Sequence, residues 1–170
     1  LDKWGKWYQE LTDVDGYRLD AVKHIRFDLF VDWLLHRREE KGEELFVVGE
    51  YWSDELDKLQ EYLDSSGNLI SLFDVPLHFN LFQAASTMGG FDMRQIFAGT
   101  LIETRPDWAV TFVDNHDTQL GQSLESWIEG WFKLHAYSLI LLRNEGTPVV
   151  FWGDLYGTEK AEAVGSGLTN

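Results

Sequence analysis

Three acids in this sequence stand where acids are costly to keep. Asp20, Glu50 and Asp117 close the runs Asp15-Gly16-Tyr17-Arg18-Leu19-Asp20, Leu45-Phe46-Val47-Val48-Gly49-Glu50 and Val110-Thr111-Phe112-Val113-Asp114-Asn115-His116-Asp117. Each run is rich in β-branched or aromatic residues and reads as a buried strand that ends in charge. A carboxylate there loses hydration, so three of them at separate strand ends imply one shared functional rim rather than a folding need. Paired carboxylates, one kept ionised and one able to carry a proton, are the groups that cleave a glycosidic bond.

The neighbours give each acid a different character. Side chains two apart on a strand share a face, so Arg18 is expected beside Asp20, where a guanidinium keeps a nucleophilic carboxylate charged and oriented. The bland alternative is a plain ion pair. Glu50 follows Gly49, which would admit a ligand or another backbone, and precedes Tyr51 and Trp52. An acid among aromatic rings can stay protonated as a proton donor, and the Trp52 indole offers a face for a sugar ring. A Glu after a strand is otherwise a solvated loop residue. In Asn115-His116-Asp117, His116 can donate to a hydroxyl, although the same three residues would also make a turn with side-chain caps.

These acids need a scaffold of alternating strands and helices. Phe27, Phe30, Val31 and Leu34 recur at helical spacing, with a polar exit from Arg37 to Glu44. Asp54 is placed to cap a helix containing Leu56, Leu59 and Leu63. Leu69 to Val75 reads as a third strand, ended by Pro76, and helices are expected over Leu77 to Ser86, Met93 to Leu101, Ile128 to Trp131 and Leu134 to Arg143. Val149 to Trp152 makes a fifth strand. Nearly continuous apolar strands argue for a parallel sheet covered on both faces, which an open doubly wound sheet or part of a barrel would satisfy. Acids at the ends of several strands favour the barrel, since an open sheet gathers its site at one switch point.

Composition removes some classes. Fourteen basic and twenty-nine acidic residues give a net charge of −15, which disfavours nucleic acid and anionic membranes as partners and suits a neutral polyol. Most of that charge is the ordinary acidic surface of a soluble protein. There is no cysteine, which excludes disulfides and thiolate metal sites. His24, His78 and His135 lack paired metal spacing, so no zinc site is expected. Asp13-Val14-Asp15 superficially matches the two-aspartate loop of magnesium-dependent phosphotransferases, but Tyr8-Gln9-Glu10-Leu11-Thr12 before it is not the hydrophobic strand such a loop follows. A complete barrel takes roughly 250 residues, so these 170 are expected to encode only part of one, and Leu1-Asp2-Lys3-Trp4 reads as the interior of a longer protein.

Taken together, the stretch from Asp15 to His24, Val48-Gly49-Glu50-Tyr51-Trp52, and the stretch from Phe112 to Thr118 resemble three signature segments of the α-amylase family, in the family's order. Phe73-Asp74-Val75-Pro76-Leu77-His78 and Gly153-Asp154-Leu155-Tyr156-Gly157 are similar to the bacterial liquefying amylases and their intracellular relatives. The resemblance implies an α/β fold, a partial TIM (β/α)8 barrel covering about strands 4 to 8, with residues 1–170 forming the C-terminal part of a catalytic domain. The first three strands, the inserted calcium-binding domain and the C-terminal β domain would lie outside it. It further implies an α-glucan substrate and retaining hydrolysis of α-1,4 bonds, with no nucleic-acid, membrane or protein partner.

By position, Asp20 would be the nucleophile, Glu50 the general acid and base, and Asp117 the residue that distorts the substrate and stabilises the charged transition state. Arg18 would orient Asp20, His116 would bind a sugar hydroxyl, and Lys23 and His24 would line the leaving-group side. The His24 backbone carbonyl would help hold a structural calcium. A transglycosylase, a maltodextrin-trimming relative or a non-catalytic binding protein would share the fold, and a secreted or a cytoplasmic setting both remain open. Ala161 to Asn170 departs from the family pattern. A barrel opened at both sides would leave unpaired edges, so these residues alone are expected to be poorly stable and inactive.

Overall fold

The computed structural model describes residues 1–42 and 44–158, so the divergent stretch from Ala161 lies outside the described residues. Parallel strands alternate with helices in two compact units, divided between Phe73 and Asp74.

The first unit opens with a helix the apolar pattern did not announce, α1 (Asp2–Thr12), whose aromatic residues Trp4 and Trp7 face outward. Its buried positions are Gly5 and Gln9, too few to show as a stripe. A Cβ at Gly5 would lie 2.5 Å from Trp33 Nε1, so glycine lets α1 close onto α2 (Phe27–Lys41). Phe30, Trp33 and Leu34 form the buried side of α2, and Trp33 meets Tyr17 edge to face at 5.0 Å. The stretch read as a polar exit is helix from Arg37 as far as Lys41. Its basic residues tie the helix to the starts of the strands: Arg38 donates to the carbonyls of Leu45 and Leu69, and Lys41 to that of Val14. Gly42, at φ 71°, then ends it in the left-handed region.

Strands β1 (Gly16–Leu19), β2 (Phe46–Gly49) and β3 (Ser71–Phe73) pair in parallel, with Gly16 opposite Phe46, Arg18 opposite Val48 and Gly49 opposite Leu72. Gly16 is required by this pairing, since a Cβ there would stand 2.2 Å from the Phe46 carbonyl oxygen. Val47 and Val48 are buried and β1 is partly exposed. Helix α3 (Leu56–Ser65) buries Leu59, Tyr62 and Leu63. Asp54 does not cap it. Glu55 is the capping position, makes no side-chain bond there, and its own N–H donates to Ser53 Oγ.

In the second unit, β4 (Ala109–Phe112) is buried throughout and runs parallel to β5 (Thr147–Val149). Helix α4 (Val75–Ser86) takes Val75 out of the expected third strand, because Asp74 caps it by accepting from Leu77 N at 3.1 Å and Pro76 suits a first helical turn. The same carboxylate accepts from Leu101 N and Ile102 N and so also starts α5 (Leu101–Thr104). The helix expected over Met93 to Leu101 is only a 3-10 turn at Met93–Gln95, since Asp92 and Thr100 each cap locally. Helix α6 (Gly130–Leu141) joins the two stretches expected there but leaves Ile128 and Glu129 before it and Leu142 and Arg143 after it. The fifth strand lies earlier than the expected Val149 to Trp152, because Trp152 begins α7 (Trp152–Tyr156).

Candidate active site

Two of the three acids fall in the first unit, immediately past adjacent parallel strands. Asp20 follows β1 and Glu50 follows β2. Glu50 N donates to Leu19 O at 2.9 Å and Val22 N donates to Glu50 O at 3.0 Å, so the backbone at Glu50 continues the ladder. Between them Ala21 takes φ 48° and ψ 42°, a left-handed conformation that costs a non-glycine residue roughly 1–2 kcal/mol. That bend aims Ala21 N at Glu50 Oε2, 3.4 Å away.

Arg18 reaches both carboxylates. Its Nη1 donates to Asp20 Oδ1 at 2.7 Å, as the spacing on β1 predicts, and its Nη2 donates to Glu50 Oε2 at 3.2 Å. The two acids differ in setting: the Asp20 side chain is 73% exposed and that of Glu50 only 11%. Tyr51 does follow Glu50, and its ring packs against Tyr62 at 5.4 Å. Gly49 has a different purpose from the one expected. A Cβ there would press Ile70, Leu72 and Val22 at 3.2–3.3 Å, so the close approach is by core side chains rather than by a ligand.

Lys23 and His24 lie in a 3-10 turn, Val22–His24, and both are exposed. Lys23 Nζ donates to Trp52 O at 2.8 Å, which joins the turn after β1 to the loop after β2 and leaves the Trp52 ring half-buried. The His24 carbonyl is one oxygen, and a calcium ion takes six to eight. Among the described residues no three His, Cys, Asp or Glu side chains gather to hold a metal. The described residues do not by themselves fit a calcium ion.

The third acid belongs to the second unit and lies five residues past β4, in a turn. Asn115 Oδ1 accepts from Asp117 N at 2.8 Å and from Thr118 N at 2.9 Å, the side-chain-capped turn that the sequence allowed. His116 Nε2 stands 3.3 Å from Asp117 Oδ2, and the two side chains are 60% and 33% exposed. Below them lies a charged cluster with no counterpart in the sequence reading. Asp114, fully buried, meets Lys133 Nζ at 3.1 Å, and Lys133 also bonds Asp154. Tyr137 Oη donates to Asp154 Oδ2 at 2.5 Å, and the ammonium sits 3.0 Å from the centre of the Trp127 ring. Burial pushes the Asp114 carboxyl up to about 7 against the opposing pull of Lys133. Read from periodicity, Lys133 falls between two helical stretches. A lysine between Phe132 and Leu134, on what proves to be the buried side of α6, was the available signal.

His78 is also buried in this unit. Its Nδ1–H donates to Val113 O at 2.7 Å, its Nε2 lies 2.8 Å from Ser126 Oγ, and its ring stacks on Phe112. Burial pushes the imidazole down to about 4.

Parallel β/α units with carboxylates just past the strands define a segment of a (β/α)8-barrel enzyme scaffold. No family model matches the sequence. The chain is 53% identical to an α-amylase of Geobacillus stearothermophilus over 157 residues, covering 92% of this chain and 29% of that protein. It is 48% identical to a glucan 1,4-α-maltohexaosidase of Bacillus sp. (strain 707), covering 92% of this chain and 30% of that one. The crystal structure of an Anoxybacillus α-amylase superposes with a TM-score of 0.66 at 25% identity, over 92% of this chain and 35% of that one. The chain therefore belongs to the α-amylase family, spans about three-tenths of the length of these curated relatives, and has the expected fold of a partial (β/α)8 barrel.

Proposed function

We propose that these residues carry the reacting carboxylates of a retaining α-1,4-glucan hydrolase. The observation that carries this reading is the Arg18 guanidinium, which holds Asp20 and Glu50 on one fork at neighbouring strand ends. Asp20, exposed and paired with Arg18, is the nucleophile. Its carboxylate attacks the anomeric carbon while Glu50 delivers a proton to the departing glycosidic oxygen, and the product is a glycosyl ester on Asp20 and a free sugar hydroxyl. Glu50 then takes a proton from water as that water displaces Asp20, restoring both groups with the anomeric configuration retained. Asp117 stabilises the positive charge that develops on the ring, and His116 donates to a sugar hydroxyl. Trp52 stacks on a sugar ring, and Lys23 and His24 contact the leaving-group side.

An experiment on the full-length enzyme tests this. Glu50→Gln abolishes starch hydrolysis, and time-resolved proton NMR of the wild-type products shows the α-anomer first. A fully active Glu50→Gln enzyme, or initial release of the β-anomer, refutes the assignment. The maltohexaosidase relative supports a second reading, in which the same acids trim maltodextrins to a set length. A product ladder that collapses early to a single size favours it. Residues 1–170 on their own are proposed to be inactive as the C-terminal part of the catalytic barrel, and full activity of the isolated 170-residue chain on starch would overturn that. Calcium, if the enzyme takes it, would meet the His24 carbonyl together with oxygens from outside this segment.

A further inference from the structure

The buried cluster beneath Asp117 is an unusual outlay for stability alone. One ammonium and two carboxylates lie almost wholly out of water, and such groups add little to folding compared with well-packed apolar residues. Their bonds lead toward the turn that carries His116 and Asp117. Asp114 Oδ1 accepts from Thr118 Oγ1 at 3.0 Å, and Thr118 Oγ1 in turn accepts from Asn115 N at 2.9 Å. Thr118 O also accepts from Ser126 N at 3.0 Å, and the Asp114 carboxylate accepts from Ile128 N at 3.3 Å, which fixes the following loop to the same point. Thr118 is fully buried. Its hydroxyl is therefore a one-atom junction between a rigid ionic base and the turn above it.

We propose that Thr118 is a positioning residue for Asp117, holding the Asn115–Thr118 turn in place through Asp114 and Lys133. This deepens the role proposed for Asp117 and rests on that reading. Lys133 sets Asp114, and Asp114 sets the Thr118 hydroxyl. That hydroxyl fixes Asn115, whose side chain fixes the Asp117 amide. No member of this chain other than Asp117 touches the substrate in the proposed reaction. The effect should then appear in the transition state, where Asp117 acts, rather than in ground-state binding.

The test uses the full-length enzyme with Thr118→Val, which keeps the shape of the side chain and removes the hydroxyl, and Thr118→Ser, which keeps the hydroxyl. In Thr118→Val, kcat on maltodextrin falls about 10- to 100-fold with KM within about threefold, the pattern of lost positioning at the transition state. Thr118→Ser restores kcat to within about threefold of wild type. Amide exchange at Asp117 and Thr118 quickens in the valine variant and not in the serine variant. Thr118→Ala serves in place of valine if the latter does not fold. Unchanged kcat in the hydroxyl-free variant overturns the proposal, as do a rise in KM alone and an equal loss in the valine and serine variants. Asp117→Asn separates the two claims. If it is inactive while Thr118→Val is fully active, the positioning role falls and the role of Asp117 stands. If it is fully active, the reading beneath the proposal falls with it.

Discussion

Lowering the pH should destabilise this protein through His78 by an amount that follows from its surroundings. Burial pushes the imidazole from its ordinary 6.5 down to about 4, against the opposing pull of its bond to Val113 O. The unfolded chain therefore binds a proton between these values that the folded chain does not. Stability from this group is present in full above about 6.5 and is lost as the pH falls toward 4. Between pH 7.5 and 4.5 the loss is about 2.5 kcal/mol, a substantial share of the roughly 5–15 kcal/mol typical of a folded protein. Asp114 works in the opposite sense: with its carboxyl raised to about 7, its contribution weakens as pH rises from the ordinary carboxylate range. A single pH profile would mix the two, so the measurement is a difference of differences. Urea unfolding of wild type and His78→Gln at both pH values should show the wild-type advantage shrinking by about 2.5 kcal/mol at pH 4.5. An advantage that does not change, or an imidazole that titrates by NMR near 6.5, would refute the reasoning.

Other outcomes follow from single contacts. Asp74→Ala strands three buried amides, those of Leu77, Leu101 and Ile102, and should cost about 3–5 kcal/mol in urea unfolding, with Asp74→Asn costing about 1–3 because one oxygen cannot serve all three. Arg18→Lys keeps the charge but loses the fork that reaches Asp20 and Glu50 together, so kcat/KM should fall about 100-fold in the full-length enzyme while its melting temperature moves little. Ala21→Gly removes the left-handed penalty but adds chain freedom, and the melting temperature should rise slightly or stay level. Calcium titrated calorimetrically into residues 1–170 should show only weak binding, above about 1 mM, because one carbonyl cannot complete its shell.

Where function presses on the strands, the sequence was readable. Alternation on β1 placed Arg18 beside Asp20, and the apolar run of β2 placed Glu50 at its end, because strand periodicity is short-range and leaves few alternatives. What escaped depended on partners distant in the chain. Helix α1 buries a glycine and a glutamine, so no apolar stripe announces it. The reach of Arg18 to Glu50 spans thirty-two positions, and Lys133 finds Asp154 twenty-one positions away. Local cap chemistry also outweighed helical propensity between Met93 and Leu101, and Trp152 opens a helix instead of closing β5.

Gly16 gives the pairing of β1 with β2 a practical meaning for anyone changing this protein. The position has no chemistry of its own, yet any side chain there would drive into the Phe46 carbonyl and force the strands apart or out of step. A shift of one residue would turn Arg18 to the opposite face and separate the two carboxylates it joins. In a mutational library, losses of activity at Gly16 would therefore resemble losses at Arg18, and a map of essential residues drawn from such data would mark a catalytic group where there is only a need for empty space.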